Sequence, residues 1–190
     1  MDKEAIKRIE QTHEYAIIAL GADDIHRAVN QLYDDKPYIY HLKSVVDFTL
    51  KYLPSECEAD ALPVMFGAFF HDSIEDARLT YNDVMRIAKT FMSEEQAVMA
   101  TEIVYALTNE KGRNRHERAN DKYYEGIRAT KYAPLVKAAD RLANYTYAKS
   151  AHSKMEKCYK GEMEEFVKKA LTAEDGTLLV PKEMVDELFS

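Results

Sequence analysis

The sequence predicts an all-α protein folded as a single compact multi-helix domain. Apolar residues recur at three- and four-residue spacing along most of the chain, which is the period of an amphipathic helix. Helix start and stop signals separate these stretches. The chain has 190 residues, of which 46% are hydrophobic, which is enough for one core and short for two ordinary domains. We therefore expect one domain of on the order of eight to ten helices, without repeats or linkers.

Helical periodicity defines the elements of the first half of the chain. The predicted helices there cover residues 6–20, 24–32, 38–53 and 59–70. Pro54 ends the third of them, because the residue before a proline avoids helical geometry. The fourth is apolar nearly all round, which is typical of a central, buried helix. Capping-box patterns that begin at Thr80 and Ser93 open two further helices.

The second half continues the helical pattern after a polar, basic stretch over 109–118. The predicted helices there are 121–130, one opened by Pro134 in its first turn, and 153–171. Asp175 and Gly176 indicate a turn, and residues 177–180 favour a short extended piece before Pro181.

Charge and cysteine content narrow the class of protein. The formal net charge is −7, which disfavours tight binding to nucleic acid or to an anionic membrane. Two cysteines, Cys57 and Cys158, are too few for a disulfide framework and are typical of reduced thiols. The charged N-terminus and the lack of an 18-residue apolar run indicate neither a signal peptide nor a membrane span. We expect a cytoplasmic protein.

The segment His71 to Asp76 places charged groups directly after the most apolar helix. An unpaired buried carboxylate is very costly, so these groups need partners. At helical spacing Asp72 faces Asp76, and two carboxylates at that spacing repel each other. A cation among Asp72, Glu75 and Asp76 accounts for the cluster. The alternative is a solvated helix end with acidic residues on its surface.

Two further ionisable residues lie at inward helix positions. His41 shares a stripe with Leu42, and Asp140 lies in a helix that is otherwise apolar on that side. The simpler alternatives are a hydrogen-bonded core histidine and a salt bridge from Asp140 to Lys137 or Arg141. Together with His71 and Asp72, these residues offer two imidazoles and two carboxylates. This set suits Mn²⁺, Fe²⁺, Co²⁺ or Zn²⁺ better than Ca²⁺, and nearby acids that deprotonate a water indicate a hydrolase.

Three blocks of this sequence resemble a known family. Residues 37–41 read PYIYH, residues 71–76 read HDSIED, and residues 137–144 read KAADRLAN. They are similar to PYxxH, HDxxED and KLADRLxN, which mark the hydrolase domain of RelA/SpoT homologues, including the small alarmone hydrolases. That domain belongs to the HD superfamily of metal-dependent phosphohydrolases. The resemblance covers roughly residues 26–147.

The resemblance implies a fold, a metal and a reaction. It implies a single HD domain over 1–190, with a metal-site core at about 26–147 and a helical extension over 151–190. One divalent ion, usually Mn²⁺ in the family, is implied on His41, His71, Asp72 and Asp140. Glu75 and Asp76 match the acidic pair that activates the attacking water. The implied reaction removes the 3′-pyrophosphate of guanosine tetra- or pentaphosphate, and we expect no synthetase domain.

Candidate substrate contacts come from the basic stretch and from the resemblance. In an acidic protein, a basic loop is a candidate phosphate clamp, and its alternative is a solvated turn. The resemblance implies phosphate contact by Arg115, an asparagine near the sugar at Asn144 and a pocket tyrosine at Tyr159. The full set of candidate substrate-binding residues is Lys111, Arg113, Arg115, Lys137, Asn144 and Tyr159.

The sequence also departs from the family. The basic run that usually precedes PYxxH is replaced by AVNQLYDDK over 28–36, and Leu42 stands where a proline is common. The alternatives are therefore an HD-type nucleotide or phosphorylated-cofactor phosphatase with another substrate, and a metal- or nucleotide-binding sensor without activity. A purely structural helical protein is the weakest option. The helix over 155–171 offers either a homodimer face or ordinary core.

Overall fold

A computed structural model describes residue 7, residues 39–109 and residues 113–190, with backbone alone for residues 115 and 116. The helices predicted over 6–20 and 24–32 lie outside these two long ranges. The elements in chain order are α1 (Ile39–Tyr52), a 3-10 helix (Ser55–Asp60), α2 (Ala61–Phe70), α3 (Ser73–Asp76), α4 (Tyr81–Ala88), α5 (Glu94–Leu107), α6 (Arg115–Arg118), α7 (Asp121–Ala129), α8 (Ala133–Ser150), α9 (Met155–Ala170) and α10 (Lys182–Leu188).

The all-α prediction is confirmed. Within the described ranges no strand forms, and the extended piece expected over 177–180 is reduced to one antiparallel bridge between Thr172 and Leu178. Both capping boxes are present, because Thr80 and Ser93 each accept a hydrogen bond from the backbone three residues later. None of the described helices is long and apolar enough to cross a membrane.

Elements that differ from the sequence-based expectation include the short helix α6, which lies in the polar stretch between two predicted helices, the start of α2, and α10. The buried helix begins at Ala61 rather than at residue 59, because Ser55–Asp60 forms a 3-10 helix ahead of it. Helix α10 was not predicted; it begins directly after Pro181 and buries Met184 and Leu188.

Helix α2 forms the centre of the core. Nine of its ten residues are buried, and it packs between α1 and α5, while α8 packs across α1 and touches α2. Gly67 lies at the closest approach of α2 to α5: a Cβ there would lie 2.7 Å from Ile103 Cγ2 and 3.0 Å from Ile103 Cβ. The three helices that carry the candidate metal ligands are therefore held together by a rigid apolar framework.

We expect Gly67→Ala to lower the free energy of unfolding by about 1–3 kcal/mol, which is typical of overpacking a core. The atoms in the way belong to the branched, stiff end of Ile103, so the clash is not relieved by a rotamer change. Urea denaturation followed by circular dichroism measures the effect. Gly126→Ala is the matched control, because nothing lies within 4 Å of the added methyl group in α7. Equal stability of the two variants would contradict the close-approach argument.

Candidate metal centre

Three helices converge where their ionisable side chains meet. His41 lies in the first turn of α1, His71 directly follows α2, and Asp140 lies in the middle of α8. One ligand atom from each lies within 4.8 Å of the other two. The side chains of His41, His71 and Asp140 are 3%, 2% and 14% exposed. The structure thus gathers three of the four sequence-predicted ligands at one buried point.

Asp72 completes the predicted ligand set at the edge of this cluster. Its Oδ2 lies 3.0 Å from His71 Nε2, and its side chain is 28% exposed. Asp140 Oδ1 lies 3.4 Å from His41 Nε2 and 3.8 Å from His71 Nε2. The α2 helix ends at Phe70, and two residues, His71 and Asp72, separate it from α3, which begins at Ser73. Asp72 therefore lies in the turn between the two helices, where its side chain contacts His71.

The hydrogen bonding of His71 leaves its second nitrogen directed at the carboxylates. His71 Nδ1 lies 2.8 Å from the Ala68 carbonyl oxygen, and because a carbonyl only accepts, Nδ1 is the donor. In the neutral ring the Nε2 lone pair then faces Asp72 and Asp140. That nitrogen is buried without a hydrogen bond of ordinary geometry. Lone pairs facing one another require a proton or a cation between them, so the donor set fits a divalent ion with nitrogen and oxygen ligands.

The electrostatics favour charged groups at this point. Burial lowers the pKa of His71, but the charges of Asp72 and Asp140, the close contact with Asp72 and the hydrogen bond to Ala68 outweigh it and raise the pKa to about 9. Burial raises the pKa of Asp140, yet Lys137 and the two histidines hold it well below its usual range. Burial also raises the pKa of Asp72, but the charges of His71 and His41 outweigh it, so that the pKa is lowered. Both carboxylates are therefore ionised at neutral pH.

Two further α8 residues orient the Asp140 carboxylate. Lys137 Nζ lies 3.0 Å from Asp140 Oδ2, and Asn144 Nδ2 donates to Asp140 Oδ1 at 2.6 Å. The sequence offered Lys137 and Arg141 as salt-bridge partners of Asp140. In the structure Lys137 makes this salt bridge, while Arg141 pairs with Glu162 at 3.0 Å. Partners of this kind fix the direction in which a ligating carboxylate points.

Glu75 and Asp76 lie in the short helix α3, half-buried. Asn109 Nδ2 donates to both oxygens of Glu75, at 3.0 and 2.9 Å. The Asp76 amide donates to the Asp72 carbonyl oxygen at 2.8 Å. Asn109 was not predicted as a site residue, because no local sequence pattern indicates a contact across 34 positions of the chain.

The remaining candidate substrate contacts are dispersed. Arg113 has a 91% exposed side chain that pairs with Glu117 at 3.1 Å, which agrees with the solvated-turn alternative for this residue. Lys111 and the side chain of Arg115 lie outside the described residues. Tyr159 is half-buried, with its ring centroid 5.0 Å from the Arg141 guanidinium.

A cavity adjoins the cluster on one side. It has a volume of about 330 Å³ and lies between α7, α8 and α9. Two of its lining residues are Asn109 and Lys137, which contact Glu75 and Asp140. The cavity therefore lies beside the candidate water-activating residue Glu75 and the candidate metal ligand Asp140.

Comparisons with family models, curated proteins and solved structures gave no match to this chain.

The pKa of His71 leads to a pH-dependent stability. Its value in the folded protein, about 9, exceeds the ordinary 6.5. The contribution of His71 to the free energy of unfolding is therefore fully present below about pH 6.5 and is lost as the pH rises through about 9. We expect the free energy of unfolding of chelator-treated protein to fall across this window, as measured by urea denaturation at several pH values. His71→Asn is the control and should lack this part of the decline; an identical pH dependence would contradict the assignment.

Proposed function

We propose that the chain is a metal-dependent phosphohydrolase that removes the 3′-pyrophosphate of (p)ppGpp-type alarmone nucleotides. The observation that carries the proposal is the convergence of His41, His71 and Asp140 within 4.8 Å, with Asp72 in contact with His71. These are the residues that the three sequence blocks select, and they lie in α1, directly after α2 and in α8. If the three short blocks resembled the family only by chance, their ionisable residues would not be expected to lie together in the fold.

The residues that would hold the ion are His41, His71, Asp72 and Asp140. Mn²⁺ is the favoured ion, with Fe²⁺, Co²⁺ or Zn²⁺ as alternatives, because mixed imidazole and carboxylate ligands suit this group. When bound, such an ion lowers the pKa of a coordinated water and polarises a phosphoryl oxygen. Lys137 and Asn144 hold the Asp140 carboxylate in place for this task.

Glu75 and Asp76 are the proposed proton acceptors for the attacking water. Asn109 orients the Glu75 carboxylate through both of its oxygens, which is the positioning that general base catalysis requires. In the proposed reaction the water oxygen bonds to the phosphorus next to the ribose. The bond from that phosphorus to the ribose 3′-oxygen breaks, pyrophosphate leaves, and the 3′-oxygen takes up a proton.

One observation favours a second substrate within the same class. The sequence lacks the basic run that usually precedes PYxxH, and residues 28–36 carry two aspartates instead. An HD-type phosphatase acting on another nucleotide or on a phosphorylated cofactor is therefore the alternative. A sensor without activity is disfavoured because both Glu75 and Asp76 are present.

The substrate test measures phosphate and pyrophosphate release by the Mn²⁺-loaded protein. The panel contains guanosine and adenosine 3′-pyrophosphates, deoxynucleotides and NADPH. We expect pyrophosphate release confined to the 3′-pyrophosphates. Release of inorganic phosphate from other members would move the assignment to the alternative phosphatase, and silence across the panel with metal bound would support the sensor.

Substitutions separate metal binding from turnover. We expect His71→Ala and Asp140→Ala to lose both bound metal and activity, because each removes a ligand. Glu75→Gln should retain metal and lose at least about 100-fold in kcat, since an amide cannot accept the proton. Metal content is measured by atomic emission on the dialysed proteins. Glu58→Gln, on the exposed 3-10 helix, is the control; loss of metal from Glu75→Gln would show that Glu75 is a ligand instead.

Asn109→Ala tests the orientation of Glu75. A hydrogen bond to a charged group contributes about 1.5–3 kcal/mol, so we expect kcat to fall roughly 10- to 100-fold with metal content unchanged. Asn109→Asp should lower kcat at least as far, because it sets a second carboxylate against Glu75. Asn82→Ala, at an exposed position of α4, should keep its activity. Wild-type kcat in Asn109→Ala would show that the contact does not serve the reaction.

A further inference from the structure

We infer that Tyr123 is a positioning residue that holds two arms of the candidate site in a fixed relation to each other. The base arm is the contact between Asn109 and Glu75, and the ligand arm is the contact between Lys137 and Asp140. The Tyr123 hydroxyl group contacts the main chain that leads to the first arm and the ammonium group of the second. This inference rests on the proposed function, because it assigns a task in that reaction to a residue outside the three sequence blocks.

Tyr123 is held firmly near the start of α7. Its backbone amide donates to the side chain of Asn120, the N-cap residue of α7, at 3.0 Å. Tyr123 and Ile127 are the buried residues of this helix, at the i and i+4 positions that share one face. The Tyr123 side chain is only 4% exposed. Capping and packing therefore carry its hydroxyl group to one defined point.

The Tyr123 hydroxyl group supports the end of α5. The last four carbonyl groups of an α-helix have no partner within the helix, and a buried one needs a partner from elsewhere. Leu107 is the last residue of α5 and is 2% exposed. Its carbonyl oxygen accepts the hydroxyl hydrogen of Tyr123 at 3.0 Å. The next residue, Thr108, has extended geometry, with φ −71° and ψ 121°, so the chain leaves the helix at this contact.

The base arm begins one residue beyond this turn. Asn109 follows Thr108 and donates to the two oxygens of Glu75 at 3.0 and 2.9 Å. Both contacts come from one nitrogen atom, so a displacement of the α5 end moves them together. The hydrogen bond from Tyr123 to Leu107 therefore fixes the main chain from which Asn109 reaches the carboxylate.

The same hydroxyl group contacts the ligand arm. Lys137 Nζ lies 5.9 Å from the centroid of the Tyr123 ring and is in close contact with its hydroxyl group. It also lies 3.0 Å from Asp140 Oδ2, in a side chain that is 20% exposed. An ammonium group has three donors and no acceptor. Lys137 can therefore serve the phenol oxygen and the carboxylate together, while the hydroxyl hydrogen remains directed at Leu107.

Tyr123 keeps its proton in this arrangement. Burial raises its pKa, the contact with Lys137 opposes this only in part, and the charges of Asp140 and Glu75 raise the pKa further. A protonated phenol is the donor that the Leu107 carbonyl oxygen needs, and it is not a base for the attacking water. The task that the contacts support is to hold the two arms.

Tyr123→Phe removes the hydroxyl group and keeps the ring. With the Mn²⁺-loaded full chain and a guanosine 3′-pyrophosphate, we expect kcat to fall roughly 3- to 10-fold. KM and metal content should not change, because the reacting groups and the ligands remain and only their alignment is lost. Wild-type kcat in this variant would overturn the inference. Loss of bound metal would also overturn it, since Tyr123 would then serve metal binding instead.

Tyr81→Phe is the matched control. The Tyr81 hydroxyl group also bonds to α5, where it donates to Glu102 at 2.6 Å, but Glu102 is an exposed side chain. This variant loses a hydroxyl group that contacts the same helix without contacting either arm, so it should keep the wild-type kcat. An equal fall of kcat in Tyr81→Phe and Tyr123→Phe would overturn the inference, because any loosening of α5 would then suffice.

A double variant shows whether Tyr123 acts through Asn109. Substitutions at independent sites have additive effects, whereas substitutions in one chain of contacts do not. We expect Tyr123→Phe to lower kcat little further when Asn109→Ala is already present. Fully additive effects of the two substitutions would contradict a positioning role that runs through Asn109.

The side-chain amide of Asn109 is a readout that needs no substrate. Its two proton signals in a ¹H–¹⁵N spectrum of the full chain are identified by their absence in Asn109→Ala. The spectra are recorded with Zn²⁺, because Mn²⁺ is paramagnetic and broadens nearby signals. We expect the Asn109 signals to shift in Tyr123→Phe and to stay in place in Tyr81→Phe. Unchanged signals in Tyr123→Phe would overturn the inference.

The wild-type chain supplies a measurement that does not depend on the folding of a variant. A hydroxyl proton that is buried and bonded to the Leu107 carbonyl oxygen exchanges slowly with water. We therefore expect the Tyr123 hydroxyl proton to be visible in the proton spectrum of the wild type. Exchange too fast for its detection would show that the bond to Leu107 is not maintained, and would overturn the inference.

The outcomes for the positioning role and for the hydrolase are distinguishable. Asn109 signals that shift in Tyr123→Phe, without hydrolysis of any 3′-pyrophosphate by the wild type, support the link between the two arms and refute the proposed reaction. Hydrolysis of guanosine 3′-pyrophosphates with the same kcat in Tyr123→Phe and wild type overturns the positioning role and leaves the reaction standing.

Discussion

Buried charge at the meeting point of α1, α2 and α8 determines how these helices are placed. The Asp140 carboxylate is 14% exposed and lies 3.4 Å from His41. Removing a partner from a buried charge costs several kcal/mol. A slip of α8 by one turn along α1 would bury Asp140 away from His41 and His71. The register that satisfies Asp140 is therefore also the register that assembles the candidate metal centre.

The apolar framework makes this arrangement rigid. Helix α2 is buried on nearly every side, and the absence of a side chain at Gly67 allows it to approach Ile103 of α5 closely. His71 emerges from the end of that helix and is held by the Ala68 carbonyl. A ligand set on well-packed helices keeps its geometry better than one on loops. Apolar core residues, which take no part in the proposed chemistry, thus hold the candidate metal ligands in place.

The parts of the structure that could be predicted from sequence are those with a local signal. Helical period and proline placement predicted α1, and the capping boxes of Thr80 and Ser93 are present as expected. The inward positions of His41 and Asp140, the charged segment that begins at His71 and the resemblance of the three blocks together predicted one shared site. No local signal exists for the contact of Asn109 with Glu75, which depends on how α5 packs beside α3. Helix α10 has only seven residues, too few for its period to stand out.

Buried and exposed ionisable side chains are under different constraints in this fold. His41 and His71 are almost fully buried, so substituting them disturbs packing and charge balance together. Glu165 is 65% exposed, and substitutions at such positions usually change stability by less than about 0.5 kcal/mol. Charges on the exposed face of α9 can therefore change without loss of the fold or of the candidate ligand set. A chain can in this way retain the three sequence blocks while the charges that border the neighbouring cavity vary.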